Sequence, residues 1–579
     1  MTPLRRDRGK AAGRRGGDDQ IFVHRSKELA RTGLRAYLRN PNAPYGIACS
    51  VMPPASSVIL VSARPATRPP SAAPLRDGLP QFSHEQIRRV ILGIGLCILL
   101  SALDQTVVVP AVPAIASDLN GFGHLAWIVT AYLLTSTAAT PIYGKLSDIY
   151  GRRALLLPAL GVFILASVLC GSAQSLLQLI LFRGLQGIGG AGLMAMSQAA
   201  IADVVAPRER GRYQGYMASM WGIASIAGPI VGGYMTDHLS WRWIFWINLP
   251  LGLAAMLLSN RALKMLRVRR QPTRIDYLGA SLLTGAVTAW LLVLSWGGVE
   301  YPWLSAPVLG VFALGAALLA GLVVQERRIA EPLLPPRVFA NAVFIRGVAI
   351  AFFASLALFG GTFLLPLYFQ LMRGADASLS GLLVMPFLVA SVLGAYVAGQ
   401  AARRLGRTKL ILLGGLAACV LGFAGLAALG AAGPEALAVL PMVVLGSGIG
   451  AIMPTSLVMV QNAAERRDVG VATGSMLFLR SMGGAFGSTL VGALLTARFS
   501  AGLAAMHVSA SINLGDMHGG STLGQLAPAV RQAARAALGA GFALDFSVCA
   551  ALLALAFGVA WGARDLPLQS SEAPAAVGH

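Results

Sequence analysis

The sequence predicts an all-α integral membrane protein whose helices cross the bilayer fourteen times. Three observations carry this expectation. Of 579 residues, 56% are hydrophobic and only 12% are charged, about half the charge of a soluble domain. From residue 90 onward, stretches of about twenty apolar residues recur, the length that spans the hydrocarbon core as a helix. Lys and Arg are concentrated in every second connection between those stretches, the pattern that fixes orientation in a membrane.

In chain order, residues 1–85 form a polar lead rich in Pro, Ala and Arg, opening with Arg5, Arg6, Arg8, Lys10, Arg14 and Arg15. It reads as a solvated disordered tail, as a segment drawn to anionic lipid, or as the result of a misassigned start with Met52 as the true first residue. No short apolar core with a cleavage site appears, so a secretory signal is not expected. The apolar stretches follow at 90–112, 124–144, 153–172, 176–201, 213–236, 241–262, 276–297, 305–325, 342–370, 379–400, 408–430, 436–460, 470–497 and 540–562.

The basic connections hold Lys145, Arg152 and Arg153; Arg208, Arg210 and Arg212; Arg261, Lys264, Arg267, Arg269, Arg270 and Arg274; Arg327, Arg328, Arg337 and Arg346; Arg403, Arg404, Arg407 and Lys409; and Arg466 and Arg467. The alternate loops are nearly bare of cations, Arg373 excepted. This asymmetry places the basic face and both termini in the cytoplasm. Residues 498–540 form one long outer loop. Within it GQLAPAVRQAARAALGAG reads as a short amphipathic helix with Arg531 and Arg535 on one face, resting on the membrane or docking a partner.

The net charge of +22 does not point to nucleic acid, because most of the basic residues border apolar segments. The five cysteines (Cys49, Cys97, Cys170, Cys419, Cys549) have no metal-ligand spacing and outline no disulfide framework. No G-x-x-x-x-G-K-[ST] loop is present, which disfavours an ATP-driven pump. No clustered His and no nucleophile beside a base marks an enzyme.

Four segments carry chemistry. Between two apolar runs, GKLSDIYGRR packs Gly144, Lys145, Asp148, Gly151, Arg152 and Arg153 into a short turn, so its charges must pair or reach water. Asp104 lies mid-helix in SALDQTVVVPAVPAIASDL as a nearly solitary deep acid; it either exchanges protons or pairs with a cationic ligand, or is a structural carboxylate bonded to a neighbouring helix. Arg183 and Gln186 lie one turn apart in LILFRGLQGIGG, as a fixed cation beside the proton site or as a tether between helices. Gly228, Pro229, Gly232 and Gly233 in GIASIAGPIVGG mark a tight helix crossing or a bending point. In addition, Trp241, Trp243 and Trp246 fit an outer interfacial belt. Asp545 is a second acid, near the outer end of the last helix. Trp127, Tyr132, Trp221, Phe359, Tyr368 and Gln370 are the residues expected in an apolar, aromatic substrate cavity.

Together these segments resemble the major facilitator superfamily, and more closely its fourteen-helix drug:proton antiporters of the EmrB/QacA type. GKLSDIYGRR resembles the loop signature G-x-L-x-D-x-x-G-R-R. LFRGLQGIGG resembles the fourth-helix R-x-x-Q-G, and AGPIVGG the fifth-helix G-P-x-x-G-G. LDQTVVVPAVP resembles L-D-x-T-V-V-x-x-A-x-P, although Pro110 intrudes and Val109 stands nearest to a missing Asn. WRWIFWINLPLG and VQNAAERRDVGVATG, with Arg480 following, match the same branch.

The resemblance implies two six-helix bundles, 86–265 and 336–565, with two additional transmembrane helices in 266–335 and a cytoplasmic tail at 566–579. It implies that Asp148 and Arg152 form an inner-face clasp with Asp203. The matching turn of the second half, GQAARRLGRTK, has Arg403 where Asp would fall, which argues against a symmetric second clasp. No extra acid of the kind that recognises dicationic dyes stands in the later helices. The implied function is proton-coupled multidrug efflux by alternating access, without a cofactor beyond the proton gradient, in the cell (inner or plasma) membrane. Export of a self-made metabolite or antibiotic uses the same machinery, and a transport-inactive receptor or scaffold is the reading from another class. The implied partners are the lipid bilayer, protons and a hydrophobic or amphiphilic small molecule, with a periplasmic adaptor left open.

Overall fold

The computed structural model describes residues 82–119, 126–264, 276–298, 300–329, 332–375, 377–429, 435–505 and 528–568. The expectations for the N-terminal lead up to residue 81, Met52, Cys49, the basic connection at 265–275, most of the outer loop and the tail from 569 lie outside the described residues.

α1 (His84–Asp118) starts at a reciprocal cap. The Ser83 hydroxyl accepts from the Gln86 amide, and the Gln86 side chain accepts from the Ser83 amide. There follow α2 (Ala126–Tyr150), α3 (Arg152–Gly171), α4 (Leu176–Val204), α5 (Pro207–His238), the short α6 (Trp243–Trp246), α7 (Asn248–Leu263), α8 (Tyr277–Trp296) and α9 (Ala306–Arg328). After the short α10 (Pro336–Phe339) come α11 (Ala342–Arg373), α12 (Ala377–Leu383), α13 (Met385–Leu405), α14 (Lys409–Leu429), α15 (Glu435–Ala463), α16 (Val469–Ala505) and α17 (Pro528–Trp561). No strand occurs among the described residues.

Twelve helical segments among the described residues are long and apolar enough to cross a membrane, against the fourteen expected. The two outside this set are α2 and α5. At 25 and 32 residues both have the length, but they spend side chains on the interior: Ser136, Thr137 and Thr140 of α2, and Gln214 and Ser225 of α5, line a central cavity. A helix turned toward polar space carries less apolar surface than one turned toward lipid. The Ala/Arg-rich segment expected as a separate surface helix is a correction. From Pro528 it forms the first turns of α17, continuous with the last span, and Ala533, Ala534, Ala537 and Leu538 are buried there.

The apolar interior falls into clusters that follow the chain. Ile94, Leu160, Phe163 and Met196 centre one, and Val107, Ile128 and Phe245 another, all from α1–α7. Phe423, Phe542 and Phe546 centre a third and Phe344 and Met476 a fourth, from α10–α17. α8 and α9 pack on each other, and Leu283, Val287 and Leu322 meet Ala138 of α2 and Met482 of α16. α9 exposes Leu309, Phe312, Leu314 and Val323 around most of its circumference, apolar surface of the kind lipid covers.

The two halves are latched on the face that bears the basic connections. Gly151, at φ +90°, turns the chain sharply from α2 into α3. Arg152 pairs with Asp148 at 2.8 Å and with Asp203 at 2.7 Å, and also donates to Ser147. The Asp148 carboxylate accepts the Gly470 and Val471 amides at 3.0 and 2.9 Å. An anion is thus set against the N-terminus of α16, where the helix dipole favours it. Arg153 does not join this clasp. Its guanidinium donates to Asn260 at 3.0 and 2.7 Å and ties α3 to α7, because successive helical residues do not share a face.

The second half corrects a further expectation. Arg403 pairs with Glu209 at 2.7 Å, and Arg208 donates to the Arg403 and Arg404 carbonyls at 2.8 and 3.4 Å. The second clasp exists with its charges reversed. On the opposite face, Trp241 and Arg242 donate to Asp118 at 2.9 and 2.8 Å and hold its carboxyl below the usual range. Trp241 is therefore buried, and the exposed belt consists of Trp243 and Trp246.

Two outcomes follow for the latches. A Cβ at Gly144 would stand 2.5 Å from the Gly470 carbonyl oxygen, so Gly144→Val is expected to destabilise the protein by about 1–3 kcal/mol, read as a lowered Tm in detergent. Arg403→Glu sets like charges across the second latch and is expected to open the basic face. Adding Glu209→Arg should restore closure. Spin-label distances across that face check both, with a shift of about fivefold or less, as suits an exposed pair worth under ~1 kcal/mol.

Candidate functional site

Four helices of the first half converge on Asp104. α1 carries it, α3 brings Ser167, α4 brings Arg183 and Gln186, and α7 brings Asn248; all five side chains are buried. Arg183 Nη1 donates to Asp104 Oδ2 at 2.7 Å and to Gln186 Oε1 at 2.6 Å. Gln186 Nε2 donates to Asp104 Oδ1 and to Ser167 Oγ, each at 2.7 Å. Asn248 Nδ2 donates to Asp104 Oδ1 at 2.9 Å and to Ser167 Oγ at 3.3 Å. Arg183 Nε reaches the Ile128 carbonyl at 3.2 Å, and its guanidinium lies 4.5 Å from the centre of the Tyr132 ring.

Asp104 is therefore not solitary, which corrects the sequence expectation. It is one half of a buried ion pair, the arrangement that makes deep charges tolerable. Asn248 and Ser167 were missed. Asn248 had a signal, being the one amide in the apolar run IFWINLPLG, but nothing in the local sequence connects it with α1.

The cluster sits one residue layer behind a cavity of 480 Å³ lined by both halves. Tyr132 bridges the two: its ring lies against Arg183, its hydroxyl stands 3.2 Å from Ser101 Oγ, and both residues face the cavity. Gln105, next to Asp104 in the chain, faces it too. Of the residues expected to line a cavity, Tyr132, Trp221 and Phe359 do so. Trp127 is not among them, Tyr368 packs on Phe542 and Phe546 in the core, and Gln370 donates to Ser380 at 2.9 Å. Gln198, Gln214, Met453 and Arg480 line it instead. Arg480 was noticed in the sequence for its place in a motif, and only packing reveals that it faces the chamber.

The Gly-Pro segment is a crossing. Thr106 of α1 packs at Gly228 and donates to the Ala224 carbonyl at 2.9 Å, and a side chain at Gly232 would meet Val107 O. A side chain at Gly233 would enter open space, so that residue does not serve the contact, and α5 continues unbroken through Pro229. Asp545 lies buried in α17, neither carboxylate oxygen having a hydrogen-bond partner among the described residues. Cys97, Cys170, Cys419 and Cys549 are buried and unpaired.

Comparison with known proteins agrees with this architecture. Residues 94–488 match the family model of the Major Facilitator Superfamily. The chain is 38% identical to the Multidrug transporter protein MdtP of Bacillus subtilis (strain 168) over 416 residues, covering 72% of this chain and 76% of that one. It is 33% identical to the Efflux pump FUS6 of Gibberella moniliformis over 427 residues, covering 72% and 76%. Its fold is similar to that of the proton:xylose symporter XylE, with a TM-score of 0.56, 15% identity, and coverage of 84% of this chain and 97% of that one. The chain is a transporter of the major facilitator superfamily, and the buried Asp104 network lies within the part of it that the family model spans.

Proposed function

We propose that this chain is a proton-coupled efflux antiporter for drugs or other small molecules, of the fourteen-helix type. The observation that carries the reading is the Asp104–Arg183 pair, buried one residue layer behind a cavity shared by the two halves. The multidrug and efflux names of relatives above 30% identity support the direction of transport. In this reading α2 and α5 also cross the bilayer, which lets basic and bare connections alternate throughout, with the basic face and both termini cytoplasmic. Residues 86–265 and 336–565 act as the two rocking bundles, joined through 266–335. With both basic-face latches closed, the conformation is the outward-facing one.

Asp104 is the proton acceptor. Three N–H donors hold its carboxylate, and Asn248 Oδ1 has no donor among the described residues. A half-turn of the Asn248 amide exchanges a donor for an acceptor, so a protonated Asp104 can donate to it. Arg183, no longer facing a full negative charge, then shifts against Tyr132 and alters the cavity wall. Substrate release and proton uptake are coupled through that wall. One proton supplies about 1.4 kcal/mol per pH unit and about 2.3 kcal/mol per 100 mV. A neutral substrate exchanged one for one uses both terms, and a monovalent cation only the first.

In proteoliposomes with an imposed pH gradient, Asp104→Asn is expected to reduce efflux to the level of protein-free vesicles, while Asp104→Glu keeps efflux with a displaced pH profile. Unchanged efflux in a folded Asp104→Asn protein removes Asp104 from the mechanism. Asn248→Val, which deletes both donor and spare acceptor, should lower pH-driven flux about tenfold, the scale of one hydrogen bond to a charged group.

A further inference from the structure

Arg480 lies eleven residues into α16 (Val469–Ala505), about 17 Å along the helix axis at 1.5 Å per residue, inside the apolar span Val469–Leu503. It faces the cavity, and among the described residues it has no hydrogen bond or ion pair. No Asp or Glu lines the cavity. Asp104 and Arg183 cancel one another behind the wall, so the lining carries a single uncompensated positive charge. A guanidinium at this depth is retained where it meets water or an anion, and its planar fork matches a carboxylate through two parallel hydrogen bonds. The surroundings define the rest of the ligand. Tyr132, Trp221 and Phe359 supply aromatic surface, Gln198 and Gln214 supply amides, and 480 Å³ suits a drug-sized molecule.

We propose that the cavity selects amphiphilic organic monoanions, with an aromatic or apolar body held among Trp221 and Phe359 and a carboxylate paired with Arg480. This rests on reading the cavity as the substrate chamber. It also accounts for the lack of carboxylates in the lining, which a chamber built for cationic drugs would need.

The test is equilibrium binding to the full chain in phosphatidylcholine nanodiscs without any gradient, using 1-naphthylacetate and its neutral amide as matched probes. The acid is expected to bind about tenfold more tightly than the amide. Arg480→Gln should weaken the acid until the two are alike and leave the amide unchanged, and Arg480→Lys should retain part of the preference. Amide binding in each variant serves as the check of folding. Equal binding of acid and amide to the wild type, or a preference that survives Arg480→Gln, overturns the proposal while the chamber stands. Binding of neither probe overturns both. Loss of proton coupling affects neither result, because no gradient is applied.

Discussion

A full charge inside a membrane protein costs several kcal/mol unless another charge and enough hydrogen bonds answer it. The Asp104–Arg183 pair meets that condition with Gln186, Asn248 and Ser167, drawn from α1, α3, α4 and α7. Each of those helices is held in register by having to deliver at least one side chain to the same point, and α4 delivers two. The glycines of α4 then become intelligible. Gly187 and Gly190 lie against Tyr132, and Gly189 against the backbone of Phe163, so α4 can approach α2 and α3 closely enough for Arg183 and Gln186 to reach their partners.

The legible part of this molecule is the part whose signal is local. The Asp148–Arg152 contact is an i,i+4 pair written in ten consecutive residues, and Arg183 and Gln186 are one turn apart on one helix. All fourteen stretches were legible by length, but α2 and α5 are the least apolar of them because their polar side chains line the cavity. What could not be read depends on which helices meet. Glu209 and Arg403 are far apart in the chain, and no spacing rule joins them; Arg403 looked like a broken motif until its partner was in place. Asn248 and Arg480 are single polar residues in apolar runs, and only their neighbours distinguish a buried hydrogen-bond partner from a cavity-facing cation. Arg153 erred the other way, sharing a motif with Arg152 but not a helix face.

α16 joins two sites that looked separate in the sequence. Its first amides are held by Asp148 on the basic face, and Arg480 stands in the cavity three turns further along. A helix is stiff over that distance, so an opening of the first latch that displaced α16 would carry Arg480 with it. The first latch is largely buried and engages a helix terminus, whereas the second is a half-exposed ion pair. Surface pairs are worth little, so the Asp148 side holds more of the closing energy, and the reversed polarity of the second latch costs the protein little.

If the chain exchanges a proton for an organic anion as proposed, the two kinds of charge in its interior divide the work. The charge behind the wall is buried and paired with Arg183, so it is insulated from the substrate's own charge. The charge at the wall is bare, so it interacts with what enters. If Arg480 met a carboxylate of the protein, a bound anion would have to displace it and lose affinity by that amount. If Asp104 faced the cavity, a cationic substrate would compete for it directly and proton and cargo would share one site. In the proposed exchange of one monoanion for one proton, both movements would carry charge in the direction a negative-inside potential favours, each worth about 2.3 kcal/mol per 100 mV. The proposed exchange makes use of the single layer of Tyr132 and Ser101 between the two charges: it is thin enough for a shift of Arg183 to reach the wall, and it keeps the anion and the proton from competing for one cation.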